Sequence, residues 1–255
     1  MLCIIIRPCL IQGFDMQKIF CFGDGFATGH IWPEWPQILQ ALLPDHQVVN
    51  TAGIGAGTEF LVSGFVDMLP DIANSTVIFQ WPFANRFDKL LQDDSWQHTI
   101  TSDPAYHFNV VADTKQRNWW LSSASQTPQI ADYQRIYIQS QQHALRQHVY
   151  KELVSHTADA LNCKIIHSTT MEQDQFSRGT RFTSTRSREV QPSPVVHFYW
   201  LIEHIVPQMN VTVDPTLQNC LELLINQTVW TAYDPDREEI WADLLKKLKT
   251  APDDH

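Results

Sequence analysis

The chain has 255 residues, 44% of them hydrophobic and 18% charged, which is enough for one domain with a sizeable buried core. Its formal charge of −10 comes from 28 acidic and 18 basic residues scattered along the chain, which disfavours nucleic acid or an anionic membrane as the main partner. Five widely spaced cysteines without a CxxC pair indicate a reduced, cytoplasm-like compartment. No apolar run approaches the length needed to span a bilayer.

Residues 1–15 are predicted to be an N-terminal extension that precedes the folded domain. They contain a short apolar run without an A-x-A-like cleavage site, and Met16 stands directly before a clean strand pattern. We interpret them as an upstream extension from a misassigned start, with a small surface strand or a disordered arm as the alternative. The domain itself is then predicted to span residues 16–207.

Strand and helix patterns alternate from residue 18 to residue 206. Strands are predicted at 18–24, 47–50, 76–81 and 163–167. Helical spacing of apolar residues occurs at 27–42, 58–69, 136–161 and 194–206. Pro70 is expected to stop the second helix, and the apolar face of the third is assigned to Leu145, Val149, Leu153 and Ala160. The alternation predicts a three-layer α/β/α fold, with a mostly parallel sheet and helices on both faces.

Two stretches depart from this alternation. Residues 92–130 combine three tryptophans with prolines and many polar residues at weak periodicity, which predicts a long insertion over one end of the sheet. Residues 208–255 are predicted to form a C-terminal helical tail with two short helices between 216 and 249. Its apolar residues include Leu221, Leu223, Leu224 and Trp230. If they are exposed, they indicate that the tail docks on a protein partner, and if they pack on the domain, they belong to its core.

Unusual segments stand where the predicted strands end, and ligand sites of parallel sheets form at those carboxyl ends. The first segment, FGDGFATG, resembles the first sequence block of the SGNH (GDSL-type) hydrolases, with Gly25 in the position of the catalytic serine. The second, VVNTAGIGAG, resembles the block whose glycine N–H helps to form the oxyanion hole, and Gly55 is the best match. The resemblance implies the α/β fold of that family.

The third and last blocks match in order and spacing but differ in residues. Gln80-Trp81-Pro82 replaces the expected Gly-x-Asn, and Asn85 comes three residues late. In REVQPSPVVHFYW, Gln191 takes the place of the histidine, and Arg188 that of the aspartate. The resemblance spans about residues 18–207. A Trp-Pro pair at 35–36 and Trp81 with Arg86 also resemble short GDSL-like proteins of tailed phages and environmental bacteria.

The substitutions remove the chemistry that the resemblance otherwise implies. Gly25 has no side-chain oxygen for attack, Gln191 does not titrate, and Arg188 cannot orient an imidazole as a carboxylate does. The backbone N–H groups of Gly25 and Gly55 remain able to bind an anion or a carbonyl oxygen. The resemblance therefore implies a catalytically degenerate protein that binds a ligand, including a carbohydrate, or serves a structural role in an assembly such as a virion. Its location is then cytoplasmic, or in the virion if a phage encodes it.

An active enzyme with a rearranged catalytic set is the alternative. A serine-type esterase or acetyl-sugar deacetylase would use a hydroxyl of Thr28 or Ser193, with His197 as the base and Glu189 beside it. Each residue also has a structural interpretation, since hydroxyls at helix starts act as caps and the family often carries a packing histidine in that helix. A nucleotide-binding protein is disfavoured because no P-loop or Rossmann fingerprint is present.

Further binding candidates follow the strands. Asp24 either faces a ligand or serves as a turn or N-cap residue. Asn85 and Arg86 are candidates to bind a substrate oxygen. Alternatively, Arg86 pairs with Asp88. Tryptophans can stack on sugar rings or pack in the core; those considered are Trp32, Trp35, Trp81, Trp119 and Trp120. No histidine pattern indicates a metal site, and no cofactor is expected.

Overall fold

A computed structural model describes residues 16–24, 27, 33–53, 55–82, 88–90, 110–112, 115, 117–121, 140–169, 182–183, 190–191, 193–227 and 237–250. The predicted extension, residues 1–15, lies outside these ranges. The described strands are β1 (Gln17–Phe22), β2 (His46–Asn50), β3 (Thr76–Trp81), β4 (Asp88–Leu90), β5 (Val110–Ala112), β6 (Asn118–Leu121), β7 (Lys164–Thr169), β8 (Phe182–Thr183) and β9 (Val190–Gln191).

Helices connect and follow these strands. They are α1 (Trp35–Leu42), α2 (Thr58–Ile72), α3 (Ser140–Ala160), α4 (Pro194–Trp200), a π-helical stretch (Leu201–Ile205), α5 (Val206–Met209), α6 (Pro215–Gln227) and α7 (Arg237–Thr250). None of the helices in the described part of the chain is both long enough and apolar enough to cross a membrane.

The central sheet has the strand order β2-β1-β3-β7, and every pair in it is parallel. Helices cover both of its faces, so the predicted α/β fold with a mostly parallel sheet is confirmed. We call the face covered by α1 and α4–α7 the α1 face, and the face covered by α2 and α3 the α2 face. Successive side chains of β1 point to opposite faces of the sheet. Ile19 and Cys21 therefore belong to the α1-face core, and Phe20 and Phe22 to the α2-face core.

Aromatic side chains fill both cores. On the α2 face, Phe79 stacks on Phe22 and on Trp81 with ring centroids 4.7 and 4.8 Å apart, and Phe65 meets it edge-on at 5.6 Å. On the α1 face, Trp35 meets Trp200 edge-on at 5.5 Å. All six residues of β3 are buried, as expected for an interior strand of a sheet that is covered on both sides.

Two predicted helix boundaries were wrong. The helix predicted from residue 27 begins at Trp35, because Pro36 suits a first turn, where its missing N–H leaves no hydrogen bond unmade. Pro70 does not stop α2, which continues to Ile72, since a proline this near the end of a helix interrupts few backbone bonds.

The apolar face assigned to α3 points to solvent. Leu145, Val149 and Leu153 are more than half exposed, whereas Val154 and Ala158 are fully buried against the sheet. Both sets recur at helical spacing, so periodicity alone could not choose between two neighbouring stripes of one helix.

A small antiparallel sheet with the order β4-β6-β5 packs beside α2. Two of its strands lie within the predicted insertion at 92–130, and β4 precedes it. Asp67 of α2, whose side chain is 5% exposed, forms ion pairs with Arg117 and with Lys115, and the Lys115 Nζ lies 2.8 Å from its carboxylate. Trp119 packs edge-on against Phe60 of α2, so charge and ring contacts together fix this sheet on the helix.

The C-terminal helices belong to the α1-face core. Leu221 and Ile225 of α6 and Trp241 of α7 are buried in the same cluster as Trp35, and Leu224 packs against it. Leu223 is 58% exposed, and Trp230 lies outside the described residues. Within the described ranges the cysteines Cys21, Cys163 and Cys220 are free.

Candidate functional site

Buried polar side chains occur where the parallel strands end and in α4, which covers the α1 face. Asp24 follows β1, Gln80 and Ser168 lie near the ends of β3 and β7, and His197 is in α4; each is at most 3% exposed. After β1 the chain turns to β2 on one side, whereas β3 pairs on the other side of β1. The carboxyl ends of β1 and β3 therefore form the topological switch point, which is where open α/β sheets bind ligands.

Gln80 is a buried amide held in one orientation. Its Oε1 accepts a hydrogen bond of 2.9 Å from the Trp35 Nε1–H, while its Nε2 is buried without a hydrogen-bond partner among the described residues. Ser168 is its register neighbour on β7 and faces the same side of the sheet. Sequence reasoning treated this residue only as a mismatch to a family block. The available signal was a lone amide in the apolar strand TVIFQW.

His197 lies in the middle of α4 and is 2% exposed. Ser193 caps this helix, because its Oγ accepts from the Val196 N–H at 3.4 Å. Burial lowers the pKa of His197 from 6.5 to about 3, so the imidazole is neutral at pH 7. Neither ring nitrogen has a hydrogen-bond partner among the described residues, which leaves one donor and one acceptor unmatched.

Asp24 stands in a turn immediately after β1. Its carbonyl oxygen accepts from the Ala27 N–H at 2.9 Å, and the Asn50 amide donates to the Ala27 carbonyl at 2.8 Å. The next turn is closed by the Ala56 N–H, which donates to the Gly53 carbonyl at 3.0 Å. Gly55 has a φ of 76° in this turn, a conformation that side chains rarely tolerate, so the turn itself accounts for a glycine at this position.

The start of α2 is capped by a carboxylate from a distant strand. Both oxygens of Asp88 lie 2.8 Å from the Gly57 nitrogen, and one accepts from the Phe60 N–H at 2.9 Å. A Cβ on Gly57 would come within 2.9 Å of these oxygens. The Asp88 carboxylate thus accepts hydrogen bonds from N–H groups at the start of this helix. This helix start lies beside the segment where the family resemblance placed an oxyanion hole. The sequence signal was a helix that starts at a glycine with no capping side chain.

Trp81 is the buried member of a hydrogen-bonded relay on the α2 face. Its Nε1–H donates to His167 Nδ1 at 3.0 Å, and His167 Nε2 lies 2.8 Å from Ser155 Oγ, which donates to the Lys151 carbonyl. Because an indole nitrogen is only a donor, the imidazole carries its proton on Nε2. Burial, and next the charge of Lys151, lower the pKa of His167 from 6.5 to about 4. Sequence reasoning missed the relay, and only a histidine in the strand CKIIH hinted at it.

No nucleophile–base pair suited to hydrolysis is present in the described part of the chain. Ser155 and His167 are within hydrogen-bond distance, but the Nε2 that faces the hydroxyl is protonated and cannot accept its proton. Burial raises the pKa of the Cys21 thiol well above its ordinary 9.0, which keeps it in the unreactive thiol form. The Ser193 hydroxyl serves as a helix cap.

Several predicted site residues lie outside the described residues: Gly25, Thr28, Asn85, Arg86, Arg188 and Glu189. The backbone of Gln191 is described as part of β9, where it pairs with Phe182 of β8. Of the tryptophans considered for sugar stacking, Trp35, Trp81 and Trp119 are at most 5% exposed and pack in the cores. Across the described ranges, no three His, Cys, Asp or Glu side chains are grouped closely enough to hold a metal ion.

Comparison of the chain with known proteins finds no matching family model, no matching curated protein and no matching solved structure.

Proposed function

We propose that this chain is a degenerate SGNH-hydrolase-like protein that binds a small polar ligand at the carboxyl ends of β1 and β3 without hydrolysing it. The observation that carries the proposal is that two buried polar side chains have unmatched nitrogens, Gln80 at the end of β3 and His197 in α4, the helix that covers the α1 face. A buried polar group without a partner costs about 1–3 kcal/mol, so a ligand that supplies the missing hydrogen bonds recovers that cost on binding.

The chemistry of these groups limits the ligand. Gln80 offers an N–H donor, because Trp35 occupies its Oε1, and neutral His197 offers one donor and one acceptor. An uncharged molecule with neighbouring hydroxyl or amide groups matches this set, and carbohydrates belong to that class. Since Trp35, Trp81 and Trp119 are buried, this recognition would depend on hydrogen bonds rather than on stacking against those rings.

Two further observations favour binding over turnover. Glycine, glutamine and arginine stand at the positions that match the family's catalytic serine, histidine and aspartate. His197, the alternative base, has a pKa of about 3, and an imidazole with so low a pKa is a weak general base at pH 7. An esterase with a rearranged catalytic set is the competing function.

Hydrolysis of p-nitrophenyl acetate separates the two functions. We expect the wild-type rate, corrected for buffer, to equal that of His197→Ala, and Gly25→Ser alone to add no activity because the base is also missing. His148→Ala, at an exposed histidine of α3, corrects for unspecific attack by surface imidazoles. A rate that falls in His197→Ala but not in His148→Ala would overturn the non-hydrolytic proposal.

Binding is tested by isothermal titration with a panel of neutral and N-acetylated mono- and oligosaccharides. We expect at least one to bind wild-type protein, and its affinity to fall at least about tenfold in His197→Leu and in Gln80→Met, which correspond to about 1.4 kcal/mol or more. Gln142→Leu, at an exposed glutamine of α3, is the matched control. Equal binding by folded wild-type protein and both site variants would contradict the proposed location.

A further inference from the structure

The two hydrogen bonds that join Trp81, His167 and Ser155 can both form only while His167 is neutral and carries its proton on Nε2. The Trp81 N–H points at Nδ1 of the imidazole, and the Nε2–H points at Ser155 Oγ. A second proton has to be placed on Nδ1, where it would face the indole N–H. Two donors then oppose each other at a separation of 3.0 Å, and the hydrogen bond to Trp81 is lost.

This bond lies at a sensitive place in the fold. Trp81 is the last residue of β3 and directly follows Gln80, so its side chain is one of the contacts that fix the end of this strand. It is 1% exposed and stacks on Phe79. A second described hydrogen bond joins α3 to this strand end: the Gln147 amide, which does not titrate, donates to the Pro82 carbonyl at 2.9 Å.

Few charges act on the imidazole. Among the described residues packed around it, Phe79 and Trp81 of β3 and Ser155 of α3 carry no charge, and Lys151 of α3 supplies the one charge that acts on its titration. A positive charge beside the ring opposes its protonation, as does its burial. The neutral relay is therefore maintained across the neutral pH range and opens only in acid.

We propose that Trp81, His167 and Ser155 form an acid-sensitive latch that holds the carboxyl end of β3 to α3 while His167 is neutral and releases the Trp81 indole when it is protonated. The release is local, because the bond from Gln147 to Pro82 is independent of pH. The latch is a property of the fold and does not depend on which ligand the chain binds.

The latch is tested by ¹H–¹⁵N spectra of the whole chain recorded from pH 7 to pH 3.5. The Trp81 indole resonance is assigned by its absence in Trp81→Phe, and the His167 ring resonances by their absence in His167→Gln. We expect the Trp81 N–H signal to move upfield with a midpoint equal to that of His167, near the pKa of about 4 that burial and Lys151 impose. A Trp81 signal that stays constant while His167 titrates would overturn the proposal.

The His167→Gln variant provides a non-titrating copy of the relay. A glutamine side chain accepts from Trp81 through its oxygen and donates to Ser155 through its nitrogen, so we expect a Trp81 signal at the wild-type position that no longer moves in acid. His148→Gln, at an exposed histidine of the same helix, should leave the wild-type titration unchanged. A Trp81 titration that persists in His167→Gln, or one that His148→Gln removes, would show that another group controls this indole.

Discussion

Each face of the central sheet has one histidine whose pKa is lowered by burial, His167 half-buried on the α2 face and His197 buried on the α1 face, and their ring nitrogens differ in their hydrogen bonds. On the α2 face, both ring nitrogens of His167 have hydrogen-bond partners, one on the neighbouring strand and one on α3. On the α1 face, neither nitrogen of His197 has a partner among the described residues. The first arrangement is what stability alone requires of a buried polar group, whereas the second leaves a cost in place that a ligand can remove.

The comparison explains where a site can be sought in this fold. The end of β3 contributes Trp81 to the α2 face and Gln80 to the α1 face, because successive side chains of a strand point to opposite sides. Among the described residues, Gln80 and His197 on the α1 side are side chains with unmatched nitrogens, whereas on α2 the one unmatched atom, Glu59 Oε2, belongs to a carboxylate that is paired with Arg146. We therefore regard the α2 face as the structural support of the sheet and the α1 face as the one that recognises a ligand.

The largest expected effect tests the structural role of the α2 face. Phe79→Ala removes a ring that contacts Phe22, Phe65 and Trp81, so we expect the free energy of unfolding to fall by about 3–5 kcal/mol. Urea denaturation at pH 7 measures the loss, with Val66→Ala, at a side chain that is 52% exposed, as the control. A loss below about 1 kcal/mol in Phe79→Ala would contradict the assignment, because it is typical of surface positions rather than of a core ring.

Acid should destabilise the protein through its buried histidines. The pKa of His197 is about 3 in the folded chain against 6.5 as an ordinary value, so below pH 6.5 the unfolded chain binds a proton that the folded chain does not. The free energy of unfolding then falls as the pH falls from 6.5 toward 3, by about 1.4 kcal/mol per pH unit for this one group.

The measurement is a series of urea denaturations between pH 7 and pH 4 for wild-type protein and His197→Leu. We expect the leucine variant to lose less stability over this range, by about 3 kcal/mol at pH 4. His167 contributes in the same direction in both proteins, since its pKa is also lowered, so the difference reports His197 alone. Parallel curves for the two proteins would show that the pKa of His197 is the same in the folded and unfolded chains.

Replacing each histidine by leucine at pH 7 sharpens the comparison of the two faces. His167→Leu removes the nitrogen that accepts from the buried Trp81 indole N–H, and we expect a loss of about 1–3 kcal/mol. His197→Leu removes two unmatched nitrogens and takes a side-chain hydrogen bond from no other described group, so we expect no loss or a gain of stability. Urea denaturation of both variants gives the signs. Similar losses in the two would mean that His197 has partners of comparable strength.

Much of this fold was predictable because its strands are short apolar runs between turn residues. The central strands β1, β2, β3 and β7 overlap the predicted segments, and the alternation with helices predicted the parallel sheet. The sequence could not predict which stripe of α3 is buried. Leu145, Val149 and Leu153 are the more apolar set, yet the sheet is packed by Tyr150, Val154 and Ala158, which have the same spacing.

The site was predictable only as a region. The strand-end rule indicated the switch point, and two of the buried polar side chains considered for the site, Asp24 and His197, were named from sequence. Gln80 was missed because its role depends on Trp35, 45 positions away in the chain, and such a pairing leaves no local pattern. The same holds for His167, whose tautomer is set by an indole from the neighbouring strand.

The smallest expected effect concerns the side chains that cap the N-termini of two helices, α2 on one face and α4 on the other. On the α2 face, Asp88 accepts from the Gly57 and Phe60 N–H groups at 2.8 and 2.9 Å, whereas on the α1 face Ser193 caps α4 through one longer contact of 3.4 Å. A carboxylate at a helix start also interacts favourably with the helix dipole. We therefore expect Asp88→Ala to lower the free energy of unfolding by about 1–2 kcal/mol, and Ser193→Ala to lower it by about 0.5 kcal/mol.

Asp88→Asn separates the charge of this cap from its shape. The amide keeps one oxygen for the Gly57 and Phe60 N–H groups but carries no charge, so we expect a loss between that of the alanine variant and zero. Asp243→Ala, at a side chain that is 69% exposed on α7, corrects for the loss of one surface carboxylate. If Asp88→Ala costs no more than Asp243→Ala in urea denaturation, water replaces the carboxylate at the start of α2 without loss. The N–H groups there are then free to bind an external anion, and the cap from Asp88 would not distinguish the start of α2 from the start of α4.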